Sequence, residues 1–410
     1  MTATKSHDAF ERRTGRGVPG LLDRLRIYVA IPSALLLFNS GFFLIRNLLP
    51  NYLREKDLSH LAGPLQALLP ATALVLAVPL GLLSDRFSPR KLAMVALGVF
   101  CAFSGLMFLL GPEPPPVIVL FGAYLLCGIS SVMANNTIRP LYVKCIGPGG
   151  QAGKLAFFTA MSMLGFGTGA FLGGLGFKLF GWSLEEQFRV ALPLSVLGLV
   201  AASLMKDSTP VPFSLEAYRQ SILRRPVLIY LGLLFLNALH FGIEAVCVAP
   251  FVKLLKMDDF GVGCYFGSIS LVLSVTAVGT MWLREHAVNR HRMWIWGLTF
   301  SALFNISVAL VTDPWQFFAL RYGHVVADAF MIVAGLQIVA SLFPRSRVGG
   351  PMGLVSMVQT LGVLVGSLVA GFIVDWQVLS SHWQLALPFV LTGALVLVGV
   401  GVQVVLRERF

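Results

Sequence analysis

Twelve long apolar runs account for most of this sequence. A helix of about 20 apolar residues spans the hydrocarbon core of a bilayer. Charged residues make up only 12% of the chain, against about 25% in a soluble protein, and 56% of the residues are hydrophobic. The sequence therefore predicts an all-α polytopic membrane protein without a separate soluble domain. The predicted spans are 27–52, 62–83, 92–111, 117–141, 154–180, 188–205, 227–254, 262–283, 293–312, 316–343, 352–375 and 385–406.

Basic residues collect in the two tails and in alternate connections between the spans. Most of the 31 Lys and Arg residues lie there, among them Arg12, Arg90, Arg224 and Arg407. Cytoplasmic loops of membrane proteins are enriched in Lys and Arg. We therefore expect both termini in the cytoplasm, in a bacterial inner (plasma) membrane. The same placement indicates that the basic residues behind the net charge of +12 set the orientation of the chain in the membrane. Nucleic acid is therefore not an expected partner.

A short charged loop turns the second span into the third. It contains Gly81, Asp85, Arg86, Arg90 and Lys91. This spacing resembles the loop signature of the major facilitator superfamily, with Ser88 standing where the family has a second Gly. Ser88 must then take the turn that Gly takes at lower cost. The resemblance implies 12 transmembrane helices in two pseudo-symmetric six-helix bundles, held together on the cytoplasmic side by the acid of this loop.

The two halves of the chain repeat weakly at an offset of 197–198 residues. Asn39 and Arg46 of span one correspond to Asn237 and Glu244 of span seven. Such repeats characterise secondary transporters. We predict an N-terminal tail at 1–26, bundles at 27–205 and 227–410, and a cytoplasmic linker at 206–226. The linker contains either a short surface helix, with Tyr218 towards lipid, or no regular structure.

Span five carries closely spaced glycines: Gly165, Gly169, Gly173 and Gly174. Small residues four apart allow close packing of helix backbones. The pattern also resembles a signature of the proton-driven exporter branch of the family, with Ala170 in place of Pro. In span four, Tyr124 stands where that branch has Arg. A fainter likeness to the peptide-transporter branch lacks the coupling acids, because Leu35 and Phe38 stand in their places.

Span ten carries three polar residues that fall on one helix face: Arg321, His324 and Asp328. Ionisable residues inside a membrane are costly and are functional by default. A histidine beside a carboxylate near the midplane is suited to holding and releasing a proton. The alternative is a static hydrogen-bonded pair that joins helices.

Span seven repeats the same order with His240 and Glu244. Because Arg46 is the repeat partner of Glu244, we predict that the two meet at the outer end of a central cavity and close it in the inward-facing state. Pairing would offset the cost of burying each charge alone. In the alternative, Arg46 extends to the lipid headgroups.

Further polar residues are expected along the cavity. Asn39, Asn237, Asn135 and Asn136 are candidate hydrogen-bonding residues. Arg139 is a candidate partner for Asp85, or else it faces lipid headgroups.

These features predict a secondary transporter that moves a small polar or zwitterionic organic solute by alternating access, coupled to protons at Asp328 and His324 or at Glu244 and His240. A proton-driven multidrug or metabolite exporter and an uncoupled facilitator remain alternatives, followed by a non-transporting sensor. We do not expect an enzyme, because no nucleophile motif or metal-ligand cluster accompanies the charges. The five scattered cysteines and the lack of a phosphate-binding loop indicate no metal or other cofactor. The expected partners of this monomer are solute, protons and lipid.

Overall fold

The structure, a computed structural model, is a bundle of membrane-length helices. It describes residues 20–46, 53, 58, 61–110, 116–146, 150–182, 184–212, 214–257, 259–285, 289–374 and 379–405. The twelve long helices of these ranges are α1 Leu21–Arg46, α2 Ala62–Arg86, α3 Pro89–Leu110, α4 Val117–Cys145, α5 Gln151–Phe180, α6 Leu184–Leu204, α7 Arg225–Leu254, α8 Asp259–Glu285, α9 Arg290–Ser307, α10 Pro314–Leu342, α11 Gly349–Val374 and α12 Ser381–Val405. A short linker helix, Leu215–Ile222, lies between α6 and α7.

Length and composition agree with the predicted spans. Eleven of the described helices are long and apolar enough to cross a bilayer, and α8 has 27 residues around the apolar stretch Gly267–Thr280. Most helices begin a few residues earlier than their apolar runs, and polar side chains cap some of these starts. Asp313, for example, accepts the N–H groups of Trp315 and Gln316 at the start of α10. The last residues of the first predicted span, 47–52, lie outside the described ranges.

Helix packing divides the structure into two equivalent bundles. In the first bundle, α1 packs on α5 and α6, α4 on α2 and α3, and α3 on α6; in the second, the helices six positions later make the same pairs. The bundles meet where α2 packs on α11 and α5 packs on α8, which is again a symmetric pair. The all-α fold with two pseudo-symmetric six-helix bundles is confirmed. The boundaries of the domains and the cytoplasmic position of the linker stay predictions.

The glycines of α5 bring it close to α1. A Cβ atom at Gly165 or Gly169 would lie only 2.6 or 2.3 Å from a carbonyl oxygen of α1. Gly173 is buried, whereas a Cβ at Gly174 would have nothing within 4 Å. Two of the four glycines therefore serve close packing of backbones, the structural role that the spacing predicted.

The same contact recurs in the second bundle. A Cβ atom at Gly362 or Gly366 of α11 would lie 2.7 or 2.0 Å from a carbonyl oxygen of α7. These glycines are 197 residues after Gly165 and Gly169, the offset of the sequence repeat. The internal repeat thus corresponds to equivalent helix contacts.

The outside of the bundles is apolar. Large hydrophobic side chains such as Val75, Leu197, Phe372 and Val398 are more than half exposed. In a bilayer such side chains contact lipid tails rather than water. We call the end of the molecule at which α6 ends and α7 begins the linker end, and the other the opposite end.

Candidate functional site

Two histidines, two carboxylates and one arginine meet inside the second bundle. His324 Nε2 of α10 lies 3.1 Å from Glu244 Oε1 of α7 and 3.1 Å from Asp328 Oδ2 of α10. His240 Nε2 of α7 lies 3.4 Å from the same Asp328 oxygen. Arg321 of α10 completes this charged cluster. The sequence predicted two separate His–acid pairs, and the structure places both pairs in one site.

The two neighbouring helices hold these side chains in place. Arg321 Nε–H donates to Tyr265 Oη of α8 at 2.7 Å, and Arg321 Nη2 lies 2.6 Å from Glu244 Oε1. His324 Nδ1 lies 3.2 Å from the carbonyl oxygen of Ser301 on α9. The Ser301 hydroxyl lies 3.3 Å from the same nitrogen, so Nδ1 either donates to the carbonyl oxygen or accepts from the hydroxyl. The Nε2 atom of His324 is thereby aimed at the two carboxylates.

The protonation of His324 sets the charge of the cluster. His324 Nε2 attracts two carboxylate oxygens only if it holds a proton, and the ring is positively charged when Nδ1 holds one as well. The positive charges of Arg321 and His324 then balance the negative charges of Glu244 and Asp328. Loss of that proton leaves one uncompensated negative charge in a buried site, which is costly. The geometry therefore suits the binding and release of one proton.

The distances would also admit a metal ion. His240, Glu244 and His324 each offer a ligand atom, and these atoms lie within 4.8 Å of one another. A divalent ion would, however, leave the cluster with a net positive charge, because Arg321 already binds Glu244. One proton gives a neutral cluster, so charge balance favours a proton over a divalent metal.

Glu244 does not pair with Arg46 in this structure. The Arg46 guanidinium lies over the Phe43 ring, 5.5 Å from its centroid, at the end of α1. Glu244 is instead bound by Arg321 of α10, for which the sequence analysis named no partner. The predicted Arg46–Glu244 gate is therefore not formed here, and for the inward-facing state, to which it applies, it stays a prediction. The physical reason is that Glu244 points into its own bundle, where a closer base satisfies it.

A cavity of about 100 Å³ lies between the two bundles, in the half nearer the linker end. Three of the predicted cavity residues line it, namely Asn135, Asn136 and Arg139. Asn39 instead donates from Nδ2 to the carbonyl oxygen of Ser162 at 3.1 Å, which ties α1 to α5. Asn237 is buried in α7, outside the lining of this cavity. Asn39 therefore acts within its bundle, and neither of the two repeat-related asparagines lines this cavity.

Asp85 joins the bundles at the linker end. Its Oδ1 and Oδ2 atoms accept the N–H groups of Gly349 and Gly350, both at 2.9 Å, at the start of α11. Lys144 Nζ lies 2.7 Å from Oδ1, and the Tyr218 hydroxyl donates to Oδ2 at 2.8 Å. We call these five residues the latch. The free N–H groups and dipole of a helix N-terminus favour a carboxylate in this position.

The partner of Asp85 is therefore Lys144, and the prediction of Arg139 was wrong. Lys144 lies in the last turn of α4, beside the end of α2. Arg139 is five residues earlier, about 7.5 Å along the helix axis, and lines the cavity. Arg86, the next residue of the loop signature, lies over the Phe87 ring at 5.6 Å.

Ser88 does not adopt the glycine-type turn that the loop signature predicted. Its Oγ accepts the Lys91 N–H at 3.1 Å and so caps α3, while its hydroxyl donates to the carboxylate of Asp207. Asp207 also accepts the N–H of Arg90 at 3.3 Å. Among the described non-glycine residues only Lys256 has a positive φ. Ser88 therefore serves as a helix cap and does not occupy a glycine-type turn.

The linker forms the predicted short helix, but Tyr218 faces the protein rather than lipid. Its side chain is buried against Asp85 and α11. Burial, together with the negative charge of Asp85, raises the pKa of Tyr218 above its ordinary value. The hydroxyl is thus kept protonated as a donor to the latch.

Sequence reasoning missed four contributors to these sites: Tyr265, Ser301, Lys144 and Tyr218. None of them lies beside its partner in the sequence; Lys144, for example, is about 60 residues from Asp85. Only the repeat offered a signal, because it predicts that α4 packs beside α2 as α10 packs beside α8.

Comparison with known families gives a match over most of the chain. A family model described as Major Facilitator Superfamily matches residues 33–287 and 247–409. The probable actinorhodin transporter of Streptomyces coelicolor is 27% identical over 129 residues. That alignment covers 30% of this chain and 22% of the relative's length.

Solved structures share the fold at low sequence identity. The human organic anion transporter MFSD10 (TETRAN) is similar with a TM-score of 0.74 and 17% identity, covering 92% of this chain and 98% of that one. A bacterial homologue of the iron transporter ferroportin, in an outward-facing state, is similar with a TM-score of 0.71 and 15% identity, covering 94% and 100%. These likenesses show the fold and leave the cargo open.

Proposed function

This chain belongs to the Major Facilitator Superfamily of membrane transporters, and on that premise we propose that it moves a small organic solute by alternating access, coupled to a proton held in the charged cluster. The solute binds in the central cavity between the bundles. The linker end faces the cytoplasm of a bacterial inner membrane, and both termini lie on that side. The unit of transport is the monomer, with its bundles at 27–205 and 227–410.

One observation supports proton coupling most strongly: the Nε2 atom of His324 faces two carboxylate oxygens at 3.1 Å each. These carboxylates belong to Glu244 and Asp328. The further titratable or charged groups around them are His240, Tyr265 and Arg321. The Glu244 side chain is 19% exposed, and those of His240, Arg321, His324 and Asp328 are at most 5% exposed. Glu244 therefore gives the proton a route between the cluster and water.

The charged cluster and the cavity lie close together along α10. Met331 lines the cavity and follows Asp328 by three residues on α10, about 4.5 Å along the helix axis. A rocking motion that hydrates the cluster would lower the cost of its unpaired negative charge and release the proton. Solute and proton would then cross in one cycle, because both sites change exposure with the same rigid-body motion.

Transport in proteoliposomes tests this proposal. The purified chain is assayed with and without an imposed pH gradient against organic acids, amino acids, short peptides, sugars and drugs. We expect the gradient to drive accumulation by the wild type. Asp328→Asn and His324→Gln should lower gradient-driven accumulation at least about tenfold, because the buried cluster can no longer exchange its proton. Exchange of labelled for unlabelled solute without net proton movement should persist.

His382→Gln is the matched control, because His382 bonds to the carbonyl oxygen of Ala309 away from the cluster. It should accumulate solute like the wild type. If Asp328→Asn still accumulates solute against its gradient, the cluster is not the proton site and an uncoupled facilitator is the better description. Stimulation by a divalent metal in place of the pH gradient would contradict the proton assignment in favour of the metal geometry.

Export of a metabolite is the second candidate, in keeping with the partial likeness to a probable actinorhodin transporter. The position at which exporters carry a charged residue holds Tyr124 here. This side chain is buried edge-on against the Phe103 ring, 5.8 Å between centroids. Coupling in an exporter would therefore also depend on the charged cluster, and the direction of net flux in the same assay separates the two.

A further inference from the structure

The central cavity contains one charge without a counter-charge. Arg139 is the only charged residue among those that line the cavity, and no Asp, Glu, Lys or His accompanies it there. No carboxylate in the described ranges forms an ion pair with it. Asp85, the acid that the sequence suggested as its partner, is already bound by the four donors of the latch.

Other groups of the lining are short of partners as well. Trp294 Nε1–H is buried and makes no hydrogen bond to the described residues, and neither does Asn136 Oδ1. A buried polar group without a partner costs free energy unless a ligand or water satisfies it. Arg139 and Trp294 together offer several N–H donors to an acceptor in the cavity.

Most of the remaining lining is apolar or aromatic, and the neutral polar residues Thr159, Ser162, Ser356 and Gln359 complete it. The apolar and aromatic part includes Phe158, Tyr230, Met331 and Met352. A ligand that fits such a site has one anionic end and an apolar body, because binding pockets combine an apolar lining with a few oriented polar groups. A cationic ligand would meet Arg139 without any acid to offset the repulsion.

From this arrangement we infer that the cavity binds a small organic monoanion, with its carboxylate on Arg139 and its apolar body against Tyr230 and Trp294. The inference rests on the proposed function, since it names the class of the transported solute. It narrows the polar or zwitterionic solute expected from the sequence to an acid. Movement of one monoanion with one proton would be electroneutral.

Binding to the purified full-length chain in detergent tests the inference without transport or a pH gradient. The probes are benzoate, benzyl alcohol and benzylamine, which share a ring and differ in charge. We expect wild type to bind benzoate at least about tenfold more tightly than either of the other two. Arg139→Gln should remove this preference and leave benzyl alcohol binding unchanged, and Arg139→Lys should keep part of it.

Arg219→Gln, which removes an exposed base of the linker helix, is the matched control and should bind like the wild type. Size-exclusion and thermal unfolding profiles establish that each variant is folded. Equal binding of alcohol and acid, absence of benzoate binding, or an unchanged preference in Arg139→Gln would each overturn the inference. Intact benzoate binding with transport that ignores the pH gradient would contradict the proton coupling alone.

Discussion

At the scale of single residues, the charged cluster contains more than one site at which a proton could bind. Asp328 Oδ2 lies within 3.4 Å of both His240 Nε2 and His324 Nε2. His240 is buried, and neither of its ring nitrogens makes a hydrogen bond to the described residues. If the proposed proton coupling holds, a proton leaving His324 can move to His240 across the shared carboxylate before it reaches water.

Tyr218 allows a test at the scale of single residues. Tyr218→Phe removes one of the four donors to the buried Asp85 carboxylate and should lower the free energy of unfolding by about 1–3 kcal/mol. The raised pKa of Tyr218 keeps its hydroxyl protonated below the ordinary tyrosine value of about 10, so the difference from wild type should stay constant between about pH 6 and about pH 9. The contribution should be lost only as the pH rises beyond that range.

Denaturant unfolding in detergent measures this difference. Tyr142→Phe is the control, because the Tyr142 hydroxyl donates to a neutral backbone carbonyl, that of Lys154. Its loss should cost less than the loss of a bond to a carboxylate. A Tyr218→Phe variant as stable as wild type would show that the tyrosine does not stabilise the latch.

At the scale of helices, backbone contacts set which pairs can form. Gly81 of α2 faces Gly349 of α11 so closely that a Cβ atom at Gly81 would lie 2.4 Å from the Gly349 carbonyl oxygen. A Cβ at Gly353 would lie 2.3 Å from the carbonyl oxygen of Ala77 in the same pair of helices. The loop-signature glycine is thus a packing residue of the interface between the bundles.

Gly81→Ala should separate α2 from α11 and destabilise the closed linker end by about 1–3 kcal/mol, because backbone atoms cannot move aside as a flexible side chain can. The distribution of distances between spin labels on the two helices should become broader or shift to longer distances. Gly98→Ala is the control, since a Cβ there meets nothing within 4 Å. An unchanged distance in Gly81→Ala would show that the contact does not hold the helices together.

At the scale of the whole molecule, four hydrogen bonds between described residues join the bundles at the linker end. Two run from the start of α11 to Asp85, and two run from Arg345, to Gln151 Oε1 at 2.7 Å and to the carbonyl oxygen of Ile146 at 3.4 Å. The structure is thus closed at the linker end. In an alternating-access cycle, these are the bonds that must break when the cavity opens there.

Asp85→Asn should shift the population towards molecules that are open at the linker end, because an amide loses the charge that Lys144 and the α11 N-terminus bind. In a cysteine-free background, a cysteine placed at the cavity residue Ser356 should react several-fold faster with an impermeant maleimide added at that end. Asp207→Asn is the control, because in the described contacts the Asp207 carboxylate accepts hydrogen bonds from Ser88, Arg90 and the neighbouring Ser208, and from no residue of the second bundle. Equal labelling rates in both variants would contradict the latch.

The sequence by itself determined the number of helices, their class and their twofold relation. Apolar length is a local property, and the glycines at 165, 169, 362 and 366 repeat with the helices that carry them. It also placed Arg321, His324 and Asp328 on one helix face, because spacing along one helix fixes which residues share a face.

Only the tertiary structure decided which charge meets which. Glu244 pairs with Arg321 and not with Arg46, and Asp85 pairs with Lys144 and not with Arg139. Each choice depends on the rotation of one helix about its axis relative to a neighbour that is tens of residues away in the sequence. Close packing fixes that rotation, and it leaves Arg139 without an acid in the central cavity.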